Sequence, residues 1–197
     1  MGGLPSWLLK DRNICIRSSD PEFLAHVESY TERLCKEFVP YLSTKGGPII
    51  AVAIENEYGS YGNDKKYLRS LIDMLAKNGV DVPFYTASGY DIFKLYYGNC
   101  EYGDCEKTWA GVDFRIESEH AIAKLKEYQP DKPPLICEYW SGRAMHWGAN
   151  FFHRDPEPIA EAYRKALELG AYVNFYMFCG GTNFGFLNGA NHGRPFL

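Results

Sequence analysis

Carboxylate side chains stand directly after two apolar segments of this sequence. Residues 46–61 read GGPIIAVAIENEYGSY, in which an apolar run over 49–54 ends in Glu55, Asn56 and Glu57. A second apolar segment, 135–137, ends in Glu138 in the same way. One acidic residue after a strand often marks only the point where the chain reaches water. Two such residues from separate strands can face each other across a pocket, where paired carboxyl groups can transfer protons.

Alternating strands and helices must position these carboxylates. The run over 49–54, bounded by Gly-Gly-Pro, predicts a strand buried on both faces, as in a parallel sheet. The Asp20-Pro21 pair is typical of a helix start. In all, the sequence predicts strands at 49–55, 84–87, 109–114, 135–139 and 171–178, helices at 21–42, 64–77, 118–128 and 155–169, and an irregular segment over 91–107. This order indicates an α/β fold with parallel strands.

Five predicted strands are too few to close a (β/α)8 barrel, which needs eight strands and typically about 250 residues. The chain is therefore either an open sheet or a fragment of a barrel. In barrels, the carboxyl ends of the strands form the active-site face. No glycine-rich phosphate loop or dinucleotide fingerprint follows a predicted strand, which argues against the open nucleotide-binding sheets.

Composition excludes some classes of partner. A net charge of -4 over 197 residues provides no basic surface for nucleic acid or membranes. No segment is apolar and long enough to predict a membrane span. Among the cysteines, Cys100 and Cys105 could form a local disulfide, whereas Cys137 and Cys179 are expected to be small buried side chains. Cysteines and histidines do not fall at zinc-ligand spacings, and we expect no metal or cofactor.

Three long motifs resemble family 35 of the glycoside hydrolases, the β-galactosidases. GGPIIAVAIENEYGSY is similar to the family's segment around its acid/base glutamate, and PPLICEYWSGRAMHWG to the segment around its nucleophile. VNFYMFCGGTNFGFLNGAN is similar to its last barrel strand, and GGLPSWLL to the segment after its third strand. The resemblance implies a (β/α)8 TIM barrel. Residues 1–197 would be a single partial catalytic domain covering roughly strands 4 to 8, without the N-terminal strands and any C-terminal β domains.

The resemblance also implies roles for four residues. Glu138 would be the nucleophile and Glu57 the acid/base, while Asn56 and Tyr176 would contact the sugar. In a retaining enzyme the two carboxyl groups lie about 5–5.5 Å apart, and the nucleophile forms a glycosyl-enzyme that water then hydrolyses. We expect the pKa of Glu57 to lie above that of Glu138, because a desolvated carboxyl beside a like charge keeps its proton.

The implied substrate is a galactoside or oligosaccharide with a terminal non-reducing β-D-galactosyl residue. The resemblance favours an extracellular, periplasmic or lysosomal location, and the sequence does not predict an oligomeric state. Three positions depart from the family pattern: Ala53 replaces a glutamine, Ser88 an aspartate and Arg143 a tryptophan. Arg143 bears most directly on sugar specificity. Two alternatives therefore stay open, a related exo-glycosidase for another sugar such as a β-glucosaminide, and a non-catalytic sugar-binding protein.

Glu55 needs a separate prediction. Strand alternation places Glu55 and Glu57 on one face and Asn56 on the other, so Asn56 and Glu57 can both meet a substrate only if the strand bends or ends there. We expect Glu55 to be structural and paired with a buried cation. The aromatic residues Tyr58, Tyr61, Trp140 and Trp147 could line a sugar subsite or pack the barrel. A barrel that lacks strands exposes two sheet edges, so the isolated chain is expected to be poorly soluble or inactive.

Overall fold

The computed structural model describes residues 4–99, 108–143, 145 and 148–180. Within these ranges, five parallel strands form one curled sheet, a half-barrel in which each strand pairs with the next along the chain. The strands are β1 (Val52–Ala53), β2 (Phe84–Gly89), β3 (Thr108–Phe114), β4 (Leu135–Tyr139) and β5 (Tyr172–Phe175). The helices are α1 (Pro21–Phe38), α2 (Lys65–Lys77), α3 (Ile92–Gly98), α4 (Ser118–Tyr128) and α5 (Pro156–Glu168). The expected parallel α/β fold is confirmed.

The hydrophobic core lies between the outer face of the sheet and the helices. Phe23 of α1 and Leu68 of α2 pack with Phe84 of β2 in one cluster. Ile122 of α4 packs with Ile136 of β4 in a second cluster, which also holds residues of β3 and α5. Burying the apolar stripes of these helices against the sheet provides the main driving force for this half-barrel.

The inner face of the half-barrel is open. Tyr85, Trp109, Leu135 and Asn174, from four different strands, line a cavity of about 920 Å³ on this side. The cavity lies toward the amino ends of the strands, since residues that precede β2 and β4 also line it. Neither Glu57 nor Glu138, which stand at the carboxyl edge, is among the residues that line it.

Polar caps fix the starts of the first two helices. The Asp20 carboxylate accepts hydrogen bonds from the backbone N–H groups of Glu22 and Phe23, at 2.9 and 3.0 Å. This confirms the predicted start of α1. The helix ends at Phe38 rather than at residue 42, because Pro40 has no N–H to continue the ladder and a 3-10 turn follows. Asp64 caps α2 by accepting from the N–H of Tyr67 at 3.0 Å.

Several element boundaries differ from the prediction. The strand expected over 49–55 shrinks to Val52–Ala53, and its burial on both faces is wrong, since Ile50 is 74% exposed. The reason is that β1 is an edge strand of the described sheet and that Ile50 lines the open cavity on its inner side. The segment expected to be irregular contains α3, and the last strand ends at Phe175.

The cysteine predictions have mixed outcomes. Cys137 is buried as expected, whereas Cys179 is exposed, because it follows the end of β5 rather than lying in it. Cys100 and Cys105 lie outside the described residues. Among the helices of the described ranges, none combines the length and the apolar character that crossing a membrane requires.

Candidate active site

One extra residue in β4 turns Glu138 toward the inner face. Val112 of β3 pairs with Ile136, yet the next residue, Asp113, pairs with Glu138, so Cys137 is left over as a β-bulge. The pairing with β5 also leaves one extra residue of β4 between Ile136 and Tyr139. Ile136 and Tyr139, three positions apart, consequently both pack against the helices. Bulges re-aim side chains next to active sites, and here the bulge places Glu138 beside Asp113.

A similar irregularity follows β1. The N–H groups of Val52 and Ile54 donate to Pro83 and Tyr85, two residues apart, but the next donor to β2 is the N–H of Glu57, to Ala87 O at 2.9 Å. One extra residue therefore lies between Ile54 and Glu57. Glu57 also adopts left-handed backbone angles, with φ of 48°. The chain bends where the sequence analysis required a bend.

Glu55 and Glu57 consequently have different surroundings, and their predicted placement on one face is wrong. The Glu55 carboxylate accepts from Arg17 Nη2 at 2.8 Å and from the Tyr67 hydroxyl at 2.9 Å. Its side chain is only 8% exposed, and that of Arg17 11%. The predicted structural role of Glu55, paired with a buried cation, is confirmed.

Asp113 is a buried carboxyl group that the sequence analysis missed. It is 1% exposed, and neither of its oxygens has a hydrogen-bond partner among the described residues. Burial, which is the largest cause, together with the charges of Glu138 and then Glu57, raises the pKa of Asp113 to about 8. The three carboxyl groups thus lie within electrostatic range of one another. Its only signal in the sequence is a carboxylate near the carboxyl end of an otherwise apolar strand.

Trp140 orients Glu138. Its indole Nε1–H donates to Glu138 Oε2 at 2.9 Å. Burial raises the pKa of Glu138, the hydrogen bond from Trp140 lowers it, and the charge of Glu57 raises it, with a net upward shift. The expected order of the Glu57 and Glu138 pKa values stays a prediction. Trp140 itself is anchored, because Arg154 Nη1 donates to its carbonyl oxygen at 2.7 Å.

The remaining predicted site residues lie at the same edge of the sheet. Asn56 is exposed beside Glu57, and its carbonyl accepts from Arg17 at 2.8 Å. Tyr176 directly follows β5, is 47% exposed, and donates its backbone N–H to Tyr139 O at 3.0 Å. The structure therefore brings Glu57, Glu138, Asn56 and Tyr176 to the carboxyl ends of three strands.

The three departures from the family pattern lie in different surroundings. Ser88 is fully buried against Gly98 of α3, on the helix side of the sheet, so it cannot contact a ligand on the inner face. Ala53 is exposed on β1. Arg143 is exposed, and its guanidinium carbon lies 5.4 Å from the centre of the Phe152 ring. Ala53 and Arg143 are thus the two exposed departures, and of these Arg143 has the side chain that can donate hydrogen bonds to a ligand.

The aromatic residues divide between packing and the site. Tyr58 is 2% exposed and belongs to the core, and Tyr61 stacks on Arg17, whose guanidinium carbon lies 4.1 Å from its ring centre. Trp140 is the one of these three that contacts a candidate catalytic group, Glu138. Trp147 lies outside the described residues. In the described part of the chain, no three His, Cys, Asp or Glu side chains come together in a group that could hold a metal ion.

Glu57 and Glu138 lie at the carboxyl edge of a parallel sheet and interact electrostatically, and in barrel enzymes this edge is the active-site face. The family model for glycosyl hydrolases family 35 matches residues 1–196. A β-galactosidase of Xanthomonas manihotis is 42% identical over 192 residues, which cover 96% of this chain and 31% of that protein. The mouse β-galactosidase-1-like protein is 39% identical over all of this chain and 30% of its own length.

Another relative, β-galactosidase 1 of Dictyostelium discoideum, is 38% identical and covers 99% of this chain. The chain belongs to glycosyl hydrolases family 35, a family of glycoside hydrolases built on the TIM barrel. It spans about 30% of the length of the curated relatives that it matches.

Proposed function

We propose that residues 1–197 are part of the catalytic domain of a retaining exo-β-galactosidase, which hydrolyses terminal non-reducing β-D-galactosyl residues. The observation that carries the proposal is the electrostatic interaction of Glu57 with Glu138 at one edge of the half-barrel. Glu57 follows β1 and Glu138 lies in β4, and the charge of Glu57 raises the pKa of Glu138. The relatives named β-galactosidase support the choice of sugar.

In this mechanism Glu138 attacks the anomeric carbon of the galactosyl residue and forms a covalent glycosyl-enzyme. Glu57 donates its proton to the departing oxygen, so that the leaving group departs as an alcohol. Glu57, now a carboxylate, then takes a proton from water, which attacks the anomeric carbon and releases Glu138. Trp140 supports the attack, since its N–H holds Glu138 Oε2 and favours the carboxylate form.

Asn56 and Tyr176 are the proposed sugar contacts. Asn56 stands beside Glu57, and Tyr176 follows β5, the neighbour of the strand that carries Glu138. Both side chains are exposed. A sugar bound between the two glutamates would cover them, and its hydroxyl groups could exchange hydrogen bonds with the Asn56 amide and the Tyr176 hydroxyl.

Hydrolysis of 4-nitrophenyl β-galactoside by the complete protein tests the proposal. Turnover should fall by roughly 10³-fold or more in Glu138→Gln, and by about 10²–10⁴-fold in Glu57→Gln. Glu127→Gln, on the exposed side of α4, is the matched control and should keep full activity. A 2-deoxy-2-fluoro-galactosyl fluoride should leave a sugar covalently attached at Glu138, detectable by peptide mass. Full turnover in both site variants, or a label on another residue, would contradict these assignments.

A panel of nitrophenyl glycosides separates the alternatives. Arg143, in place of a family tryptophan, is the observation that favours another sugar. Preferred turnover of a β-glucosaminide over the galactoside would support that second candidate. Sugar binding without turnover of any substrate would favour a non-catalytic protein.

A further inference from the structure

Arg17 makes a closed set of contacts with the residues just before Glu57. Its Nε and Nη2 donate to the two oxygens of Glu55 at 3.0 and 2.8 Å, and Nη2 also donates to the carbonyl oxygen of Asn56 at 2.8 Å. One guanidinium therefore holds both the side chain and the backbone of the chain that leads into Glu57. The planar fork of arginine is suited to such a pattern, and the single ammonium of lysine is not.

The surroundings of this ion pair leave it little freedom. The rings of Tyr61 and Tyr58 lie against the guanidinium, at 4.1 and 5.6 Å from its central carbon. Glu55 accepts two further hydrogen bonds, from the Tyr67 hydroxyl at 2.9 Å and from its neighbour's backbone N–H at 2.6 Å. Burial lowers the pKa of Arg17, but the hydrogen bond and charge of Glu55 outweigh it, so Arg17 stays a cation.

The loop that follows Glu57 also donates hydrogen bonds to the backbone around Arg17. The hydroxyl of Tyr58 donates to the carbonyl of Arg17 at 3.1 Å, and that of Tyr61 donates to the carbonyl of Ile16 at 3.2 Å. These bonds run from the loop that follows Glu57 back to the segment that carries Arg17. The two segments are thus joined on both sides of Glu57.

Glu57 needs such support because of its backbone. Its φ of 48° lies in the left-handed region, which costs a residue with a side chain about 1–2 kcal/mol. Such a conformation persists only where the surrounding contacts impose it. Its own N–H is held by Ala87 O of β2, and Arg17 holds the two residues before it, Glu55 and Asn56.

We propose that Arg17 is a positioning residue for general acid–base catalysis: it holds the turn that aims the Glu57 carboxyl at the glycosidic oxygen. This inference rests on the proposed function, in which Glu57 is the acid/base. A residue that only stabilises the fold would affect all substrates equally. A residue that aims the Glu57 carboxyl should affect selectively the protonation of the leaving group. Protonation of the leaving group matters most for poor leaving groups and little for those that depart readily as anions.

The test compares kcat/KM for two substrates of the complete protein, phenyl β-galactoside and 2,4-dinitrophenyl β-galactoside. The first needs a proton on its departing oxygen, and the second departs readily without one. Arg17→Lys should lower kcat/KM for the phenyl substrate by about 10²-fold, the loss that a misplacement of about 1 Å can cause. The loss on the dinitrophenyl substrate should be at least about tenfold smaller.

Two further variants make the test specific. Arg164→Lys, at an exposed arginine of α5 that pairs with Glu161 and Glu168, is the matched control and should change neither substrate. Tyr67→Phe removes one hydrogen bond to Glu55 without changing any charge, and should give the same selective loss on a smaller scale. It keeps the test decisive if Arg17→Lys does not fold.

The outcomes separate this inference from the function on which it rests. An active wild-type protein whose variants lose the same factor on both substrates would overturn the positioning role of Arg17 alone. No turnover of either substrate by the wild-type protein would overturn the proposed function, and this inference with it. A loss confined to the phenyl substrate would support both.

Discussion

Replacing Asp113 by asparagine should stabilise the complete protein at neutral pH. Asparagine has nearly the shape of a protonated aspartate but cannot ionise. Asp113 is 1% exposed and has no hydrogen-bond partner among the described residues, so its charged form is poorly accommodated. The folded protein must therefore keep Asp113 protonated at a pH where the unfolded chain releases the proton.

The magnitude follows from the two pKa values. The folded pKa is about 8 and the ordinary value is 3.8. Because the folded pKa is raised, the contribution of this group is fully present below about pH 4 and is lost as the pH rises toward 8. Each pH unit in that window lowers the free energy of unfolding by about 1.4 kcal/mol. At pH 7, about three units above the unfolded pKa, Asp113→Asn should gain up to about 4 kcal/mol.

Denaturant unfolding at several pH values measures this effect. The difference in free energy of unfolding between Asp113→Asn and wild type should be near zero at pH 4 and should grow steadily up to about pH 8. Asp73→Asn, on the exposed face of α2, is the matched control and should show no such growth. A variant that is no more stable than wild type at pH 7, or a difference that does not change with pH, would refute the reasoning.

Two other substitutions give independent checks. Gly111→Ala would place a Cβ 2.1 Å from the Cys137 sulfur, and should lower the free energy of unfolding by about 1–3 kcal/mol. Gly142→Ala is the control, because its Cβ would meet nothing within 4 Å, and it should leave the free energy of unfolding unchanged. Equal effects of the two substitutions would contradict the packing of Gly111 against Cys137. Trp140→Phe removes a hydrogen bond that lowers the pKa of Glu138, so the acidic limb of the kcat/KM profile should move to higher pH. An unmoved limb would show that Trp140 does not set the ionisation of Glu138.

Local sequence signals predicted the elements of the half-barrel because those signals act within a few residues. Asp20 before Pro21 marked the start of α1, and the structure has the cap. The alternating order of predicted strands and helices indicated a parallel α/β fold, which the sheet confirms. The burial of β1 could not be predicted in this way, because it depends on which strands lie beside it. Ile50 is apolar, and yet it is exposed at a sheet edge.

The sequence predicted the residue types of the candidate site better than it predicted their geometry. Two glutamates after two apolar runs pointed to one edge of the sheet, where the structure has them. Simple alternation, however, put Glu55 and Glu57 on one face, because nothing in the residue types marks the extra position between Ile54 and Glu57. Asp113 was missed because its buried state depends on packing between strands that lie far apart in the sequence.

The two one-residue irregularities mean that this site is specified by chain length as well as by residue identity. Glu57 follows an extra residue after β1, and Glu138 follows the bulge at Cys137. A relative that lacks the extra residue in either segment could still align with the glutamate of this chain. Its glutamate would nevertheless point to the other face of the sheet. Amino-acid substitutions do not change this spacing. Deletion of a single residue from either segment would turn the glutamate side chain to the other face of the sheet, although the glutamate itself is still present. Comparisons within the family should therefore check the spacing between the glutamates and their strands before interpreting residue identities.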